Sequence, residues 1–189
     1  FLLMNLNKKL LIILTAIIFA SCSSNNDIQI INSENVKIEE LKKEFNRVIG
    51  SGALQGKGKS NFSSGFIFES SENNSFIVFK DFLGRRQYMI EIENDSIRYL
   101  DVRKKVKISE KEFNRFFPLS NQLNSDFYKG ILWGDTKALN EIDIQFKNSY
   151  VITTKLISID GSNYLSEIVF LLNNEKQNYT LKFNRRNFE

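Results

Sequence analysis

The side chain best suited to covalent chemistry in this 189-residue sequence is the thiol of Cys22, the single cysteine of the chain. Histidine is absent, which excludes Ser-His-Asp and Cys-His catalysis, histidine-bound zinc and the usual general base near neutral pH. A lone cysteine also excludes an intrachain disulfide and a CxxC metal cluster. The sequence has no paired-carboxylate motif, no GxSxG and no phosphate-binding P-loop. It therefore predicts a protein that is not an enzyme and that needs no cofactor or metal ion.

Cys22 follows an apolar run, with only Ser21 between them, and this position indicates a use for its thiol. The chain reads MNLNKK, then an unbroken apolar run over residues 10–20, then SCSS. A short basic segment followed by such a run is typical of a secretory signal, and the run is shorter than the about 20 residues of a membrane-spanning helix. The four residues Phe19–Cys22 resemble the bacterial lipobox, in which the cysteine is lipidated and becomes the first mature residue.

We therefore expect residues 1–21 to be a signal peptide, Cys22 to carry palmitate-like acyl chains, and residues 22–33 to form a polar tether. Residues 1–3 precede the first Met and fit an upstream translation or a mis-called start. Several acyl chains, at about 0.8 kcal/mol per buried methylene group, anchor a protein stably where one chain does not. The residue after the lipidated cysteine sorts lipoproteins between membranes in many Gram-negative bacteria, and Asp there signals retention in the inner membrane. This chain has Ser23 at that position, which resembles the signal for the outer membrane. The alternatives are a plain cleaved signal with an accidental cysteine, and an uncleaved anchor helix.

The charge balance argues against nucleic acid as a partner. The chain has 26 basic and 22 acidic residues, a formal net charge of +4. Removal of the signal peptide also removes Lys8 and Lys9, which lowers this net charge further. No RNP-type or zinc-finger pattern is present either. Phenylalanine is unusually frequent, with 17 residues, so much apolar surface must be buried or turned toward an apolar partner.

The mature chain begins with a helical pattern and continues with strands. Ser33 can cap a helix that ends at Gly50 and places five apolar residues on one face: Ile38, Leu41, Phe45, Val48 and Ile49. Period-two patterns then predict strands in ALQGKGK, NFSSGFIFES, SFIVFK, RQYMIEIE, SIRYLD, KKVKIS, NEIDIQFK, YVITTKLISI, SEIVFLL and NYTLKFN. Two helical segments interrupt them. The first is capped by Ser109 with Glu112 and ended by Pro118, and the second is SDFYKGILWG.

These elements predict one mainly β (α+β) domain over residues 34–189, with about nine antiparallel strands in a strongly curved sheet or barrel. The N-terminal helix and the helical insert are available to cover the concave face. If they fill it incompletely, a hydrophobic cavity remains between helices and sheet.

Residues 51–101 resemble the core of the LolB-like outer-membrane lipoprotein receptors, which are relatives of the periplasmic lipoprotein carrier LolA. Leu83-Gly84 match the Pro-Leu-Gly loop tip of that family, and Phe82 stands where its members usually have Pro. Residues 108–135 match the helical insert and residues 166–183 the final hairpin. Leu165 lies near a usual Pro position, and the closing Trp of many members is absent. The chain thus resembles a divergent member of the LolA/LolB half-barrel superfamily over roughly residues 35–189.

This resemblance implies an unclosed half-barrel capped by helices around an apolar cavity. It further implies a monomeric, lipid-anchored protein of the outer membrane that faces the periplasm. Such a receptor accepts the acyl chains of lipoproteins from a LolA-type carrier and inserts them among the outer-membrane lipids, with no bond made or broken. The alternative is a structural or assembly lipoprotein of the cell envelope. It would bind a protein partner through a sheet edge or a basic turn, without lipid transfer.

Two groups of residues are candidates for the acyl cavity. Four strand residues could line it, or could form an ordinary sheet core: Phe66, Phe68, Phe76 and Val78. Three residues of the second helical segment could close it as a lid, or could simply pack the helix: Ile131, Leu132 and Trp133.

The segment KDFLGRR, residues 80–86, is an unusual hairpin tip because two large apolar side chains stand where polar residues are the rule. Phe82, Leu83 and Gly84 are the candidate membrane-contact loop, and the neighbouring Lys80, Arg85 and Arg86 could meet lipid phosphates. The alternative is a tip that folds back onto its own sheet. The basic cluster Arg103-Lys104-Lys105-Lys107 could steer an acidic carrier surface, or could be a solvated turn.

Overall fold

The computed structural model describes residues 38–58, 61–142, 149–159, 162–172 and 177–189. The predicted signal peptide, Cys22 and the polar tether lie outside the described residues. The helices are α1 (Ile38–Glu44), α2 (Glu110–Phe113) and α3 (Ser125–Trp133), with 3₁₀ segments at Ser120–Gln122 and Thr136–Glu141. The strands are β1 (Arg47–Lys57), β2 (Phe62–Ser71), β3 (Asn74–Lys80), β4 (Arg86–Glu93), β5 (Ser96–Asp101), β6 (Val106–Ile108), β7 (Tyr150–Ile159), β8 (Ser162–Leu172) and β9 (Asn178–Phe188).

All nine strands form one antiparallel sheet in the order β6-β5-β4-β3-β2-β1-β9-β8-β7. Strands β1 to β6 form one meander and strands β7 to β9 another, and the pairing of β1 with β9 joins the two. In the described part of the chain, β6 and β7 are the edges and the sheet does not close into a barrel. A mainly β fold with an unclosed antiparallel sheet and few helices is thereby confirmed.

The two faces of the sheet have different surroundings. We call the first the helix-covered face. It carries the buried core that packs beneath α2 and α3, including Phe66, Ile77 and Ile90. The other, the open face, carries half-buried apolar residues such as Ile67 and Met89 among charged ones. Since paired residues of antiparallel strands lie on the same face, the strand register fixes which side chains meet the helices.

Glycines of β1 allow the aromatic rings of β2 to lie across the sheet. Gly50, Gly52 and Gly56 are paired with Phe68, Phe66 and Phe62 respectively, all on the helix-covered face. A Cβ atom added to any of these glycines would collide with the ring of its partner. The small-residue pattern at the start of the domain therefore makes room for the aromatic core.

The N-terminal helix is shorter than its apolar spacing predicts. It ends at Glu44, and Val48 and Ile49 belong to β1, where they pair with Ser70 and Glu69 of β2. The prediction of one helix through Gly50 was wrong at its C-terminal end. Val and Ile favour extended backbone, and pairing with both β2 and β9 outweighs the helical periodicity.

The helical insert forms largely as predicted. Ser109 and Glu112 make a reciprocal capping box at α2, and Asn124 caps α3 by accepting from the amide of Phe127 at 2.8 Å. Gly134 ends α3 in the left-handed region at φ 88°. The strand predicted in NEIDIQFK was wrong at its start, because residues 140 and 141 belong to a 3₁₀ segment. Residues 143–148 lie outside the described residues. No described helix is long and apolar enough to cross a membrane.

Candidate functional site

The space between the sheet and α3 is lined by aromatic side chains. Phe66 and Phe68 point from β2 to the helix-covered face and are both buried. The ring centre of Phe66 lies 5.9 Å from that of Phe79 on β3 and 5.6 Å from that of Phe183 on β9. The predicted cavity residues of β2 therefore face the interior that the helices cover.

Helix α3 closes this interior from above with its last turn. Ile131, Leu132 and Trp133 are at most 1% exposed. The indole Nε1 of Trp133 donates to the hydroxyl of Ser70 at 3.1 Å, and the hydroxyls of Ser70 and Ser75 are 2.6 Å apart. This buried polar chain fixes the position of Trp133 against β2 and β3.

The described residues leave little space between the sheet and α3. A cavity of about 10 Å³ remains, which holds one water molecule at most. Of the predicted residues, Phe66, Ile131 and Leu132 line it, together with Phe79 and Phe183. An acyl chain can enter this space only if α3 moves away from the sheet.

Phe76 and Val78 lie elsewhere. They are paired with Glu69 and Ile67 of β2, which places them on the open face. There they line an open groove of about 550 Å³ together with Arg86 and Arg185. The grouping of Phe76 and Val78 with Phe66 and Phe68 in one cavity was wrong, because the two pairs point to opposite faces of the sheet.

Arg186 of β9 joins the sheet to the end of α3, a contact that the sequence pattern did not indicate. Its guanidinium lies 4.1 Å above the ring of Phe183 and donates to the carbonyl oxygens of Leu132 at 2.9 Å and Ile131 at 2.8 Å. Burial lowers its pKa to about 9, so it keeps its charge at neutral pH. A cation at the C-terminus of a helix is stabilised by the helix dipole, so Arg186 binds the end of α3 to β9.

The tip between β3 and β4 is a hydrogen-bonded loop built around Asp81. The carboxylate of Asp81 accepts hydrogen bonds from the amides of Leu83 and Arg85, both at 3.0 Å, and from the guanidinium of Arg85 at 2.8 Å. The Arg85 hydrogen bond is the largest cause of a lowered pKa for that carboxyl group. Gly84 takes a φ of 78°, which other residues rarely adopt, to close the turn.

This construction holds the apolar side chains of the tip in solvent. Phe82 is 89% exposed and Leu83 is 61% exposed. The tip therefore does not fold back onto its own sheet. The loop is ordered by polar contacts of its backbone, while its largest apolar side chains contribute nothing to the core of the domain.

No group of His, Cys, Asp and Glu suited to a metal ion occurs among the described residues.

No protein-family model matches the chain, and no curated protein matches it. Solved structures similar to it include a DUF1329 family protein from Desulfovibrio piger, with 8% identity and a TM-score of 0.46 over 82% of this chain and 90% of that one. They also include a LolA superfamily protein from Nitrosomonas europaea, with 10% identity and a TM-score of 0.36 over 80% of this chain and 92% of that one. These values are too low to support an argument about function.

Proposed function

We propose that this chain is a monomeric lipoprotein of the outer membrane, anchored through Cys22 and facing the periplasm. It takes acyl chains of lipoproteins from a LolA-type carrier into the space between sheet and α3 and passes them into the membrane. No covalent bond is made or broken. The proposal follows the resemblance of residues 35–189 to the LolB-like receptors and the geometry of the described residues.

The observation that carries the proposal is the exposure of Phe82 and Leu83 on the hydrogen-bonded tip. Burial of one such side chain is worth roughly 1.5–3 kcal/mol, so a bilayer interface supplies a gain that water does not. Asp81 orders the loop before contact, and the two side chains therefore insert without a further loss of backbone freedom.

The filled interior sets a condition on acyl binding. Because the space is lined by apolar rings, an acyl chain that displaces α3 replaces one set of apolar contacts by another. The cost of opening then lies in the polar contacts that hold α3, among them those of Arg186 and Trp133. The amide of Leu165 also donates to the carbonyl of Gly134, and Lys129 of α3 pairs with Asp95. We propose that acyl binding and the release of α3 occur together.

Uptake of a fluorescent fatty acyl probe tests the proposal, with the mature chain carrying Cys22→Ser. We expect saturable uptake, and release of the probe to vesicles. Leu83→Glu should leave uptake unchanged and slow the release, whereas Val151→Glu, at a site on β7 that is 50% exposed, should change neither. Absence of uptake would refute the acyl-binding function. Normal lipoprotein sorting in depleted cells would refute the receptor role.

A second candidate function is supported by the edge strand β7. Four of its apolar residues are exposed, Val151, Leu156, Ile157 and Ile159, and an edge strand offers unpaired backbone groups to a partner. A structural or assembly lipoprotein that pairs through β7 also fits the filled interior. It predicts a stable complex with an envelope protein that Val151→Glu disrupts, and no uptake of the acyl probe.

A further inference from the structure

The tip and the β5–β6 turn emerge side by side from one end of the sheet. Strands β3 and β5 run in the same direction, so the loops that follow them lie at the same end. The amide of Val102 donates to the carbonyl of Gln87, directly after the tip, at 3.0 Å. Since neighbouring strands are about 4.8 Å apart, the two loops form one continuous surface. We call this the loop end.

The loop end is strongly basic. Its cations come from the end of β1, the tip and the β5–β6 hairpin: Lys57, Lys80, Arg85, Arg86, Arg103, Lys104, Lys105 and Lys107. The carboxylate of Asp81 is paired with Arg85 and that of Asp101 with Lys104, while Glu112 accepts from the uncharged Ser109 and keeps its negative charge. The remaining cations of this set form an excess of positive charge that faces solvent.

The opposite end of the sheet carries charges of both signs. The β2–β3 and β4–β5 turns meet there, with the amide of Asn94 donating to the carbonyl of Asn73 at 2.8 Å. Glu72, Glu93 and Asp95 are exposed at this end. Glu93 is paired there with Arg98 and Asp95 with Lys129, so the charges of these two turns are largely balanced.

Apolar side chains stand among the cations of the loop end. Besides Phe82 and Leu83, Val106 of the β5–β6 hairpin is 46% exposed. An acidic protein surface would complement the charges but would leave these apolar groups unsatisfied. A bilayer with anionic headgroups satisfies both, because the cations meet phosphates while the apolar groups reach the acyl region.

We propose that the loop end is a docking surface for anionic phospholipid, with the β5–β6 hairpin as a second contact beside the tip. This inference rests on the proposed membrane contact of Phe82 and Leu83, and it adds the lipid class and a second set of residues. Lys105 and Lys107 lie on the strand pair next to the tip and approach the headgroups from the side. Arg86 follows the tip directly.

Vesicle sedimentation of the mature chain carrying Cys22→Ser tests the inference. The probes are vesicles of phosphatidylcholine alone and vesicles that also contain phosphatidylglycerol. We expect tighter binding to the anionic vesicles, and loss of this preference at high salt, because salt screens exposed charges. Lys105→Gln with Lys107→Gln should weaken binding to anionic vesicles by about tenfold to thirtyfold and leave binding to neutral vesicles unchanged.

The control is Lys42→Gln with Lys43→Gln. Both lysines are exposed on α1, near the end of β9, where the ring centres of Phe45 and Phe188 are 5.7 Å apart. The control removes the same charge from the other end of the sheet and should leave the anionic preference intact. Circular dichroism establishes that both double variants are folded.

Three outcomes would overturn the inference. The first is equal binding to both vesicle types, the second is equal weakening by the two double variants, and the third is binding to an acidic protein but to neither vesicle. Loss of acyl uptake with an intact lipid preference would instead refute the proposed function. If the chain binds both vesicle types equally and Leu83→Glu abolishes that binding, the tip contacts the membrane but the basic surface does not.

Discussion

The guanidinium of Arg186 on β9 is bonded to the carbonyl oxygen of Leu132 at the end of α3, 54 residues away in the chain, at 2.9 Å. A second bond to Ile131 and the ring of Phe183 complete its surroundings. This contact joins the last strand of the sheet to the helix that closes the apolar interior. It is therefore one of the contacts that must break before that interior can open.

Replacement of Arg186 by Met should loosen the last turn of α3, because two carbonyl groups lose a charged donor. We expect faster amide exchange in residues 130–134 and faster uptake of the acyl probe, each by about tenfold, which corresponds to roughly 1.4 kcal/mol of opening free energy. Hydrogen exchange followed by mass spectrometry measures the first change, and stopped-flow fluorescence measures the second.

Arg186→Lys provides the matched control. Lysine keeps the charge but lacks the planar arrangement of donors that serves both carbonyls. In this variant, the amide exchange rate of residues 130–134 should therefore fall between the rates of the Met variant and of the unmodified chain. Unchanged exchange in both variants would show that Arg186 does not hold the helix.

Gly52→Ala should destabilise the domain strongly, because the added Cβ would meet the ring of Phe66 and the carbonyl of Lys182. We expect a loss of about 2–3 kcal/mol in the free energy of unfolding, the cost of overpacking a core. Gly65→Ala is the control, since its nearest neighbour would be 3.9 Å away. That variant should gain roughly 0.4–1 kcal/mol from reduced freedom of the unfolded chain. Urea titration of both variants measures the difference.

The sequence predicted the fold through signals that are local. Period-two patterns between turn residues located the strands, and Ser109 with Glu112 and Gly134 marked the ends of helices. It failed at Val48 and Ile49, where helical spacing and strand propensity conflict and pairing with two neighbours decides the outcome.

The candidate site was harder to predict because it depends on which face each strand presents. Alternation shows that Phe76 and Val78 share a face, but only the register with β2 shows that this face is opposite to that of Phe66. The contact of Arg186 with α3 joins distant parts of the chain, and nothing local to Asn184–Asn187 indicates it. The exposed tip was recognisable because two apolar residues between turn residues violate a local rule.

Asp81→Ala should disorder the tip without unfolding the domain. The carboxylate is the acceptor for the amides of Leu83 and Arg85, and both are lost in the variant. We expect vesicle binding to fall about threefold to tenfold, because the loop then has to be ordered on contact, while the melting temperature changes little. Binding equal to that of the unmodified chain would show that order in the loop is unimportant.

The same carboxylate makes tip order dependent on pH. Its pKa is lowered from the ordinary value of 3.8, chiefly by the hydrogen bond from Arg85. A lowered pKa in the folded state means that the stabilisation is complete above the ordinary value and is lost as the pH falls below it. Line widths of the Leu83 and Gly84 amides in NMR spectra should therefore change below about pH 4, and those of Asp81→Asn should not.

Ser70→Ala tests the polar chain that positions Trp133. The hydroxyl of Ser70 accepts from the indole of Trp133 at 3.1 Å and is fully buried, so its removal leaves an unpaired donor inside the core. An unsatisfied buried polar group costs about 1–3 kcal/mol, and we expect that loss in the free energy of unfolding. Ser63→Ala, also on β2 but exposed, should cost less than about 0.5 kcal/mol. If the loss in Ser70→Ala comes with increased exchange at Trp133, the hydrogen bond holds α3 closed. If it comes without that increase, the bond stabilises the sheet alone, and the barrier to acyl entry lies at Arg186.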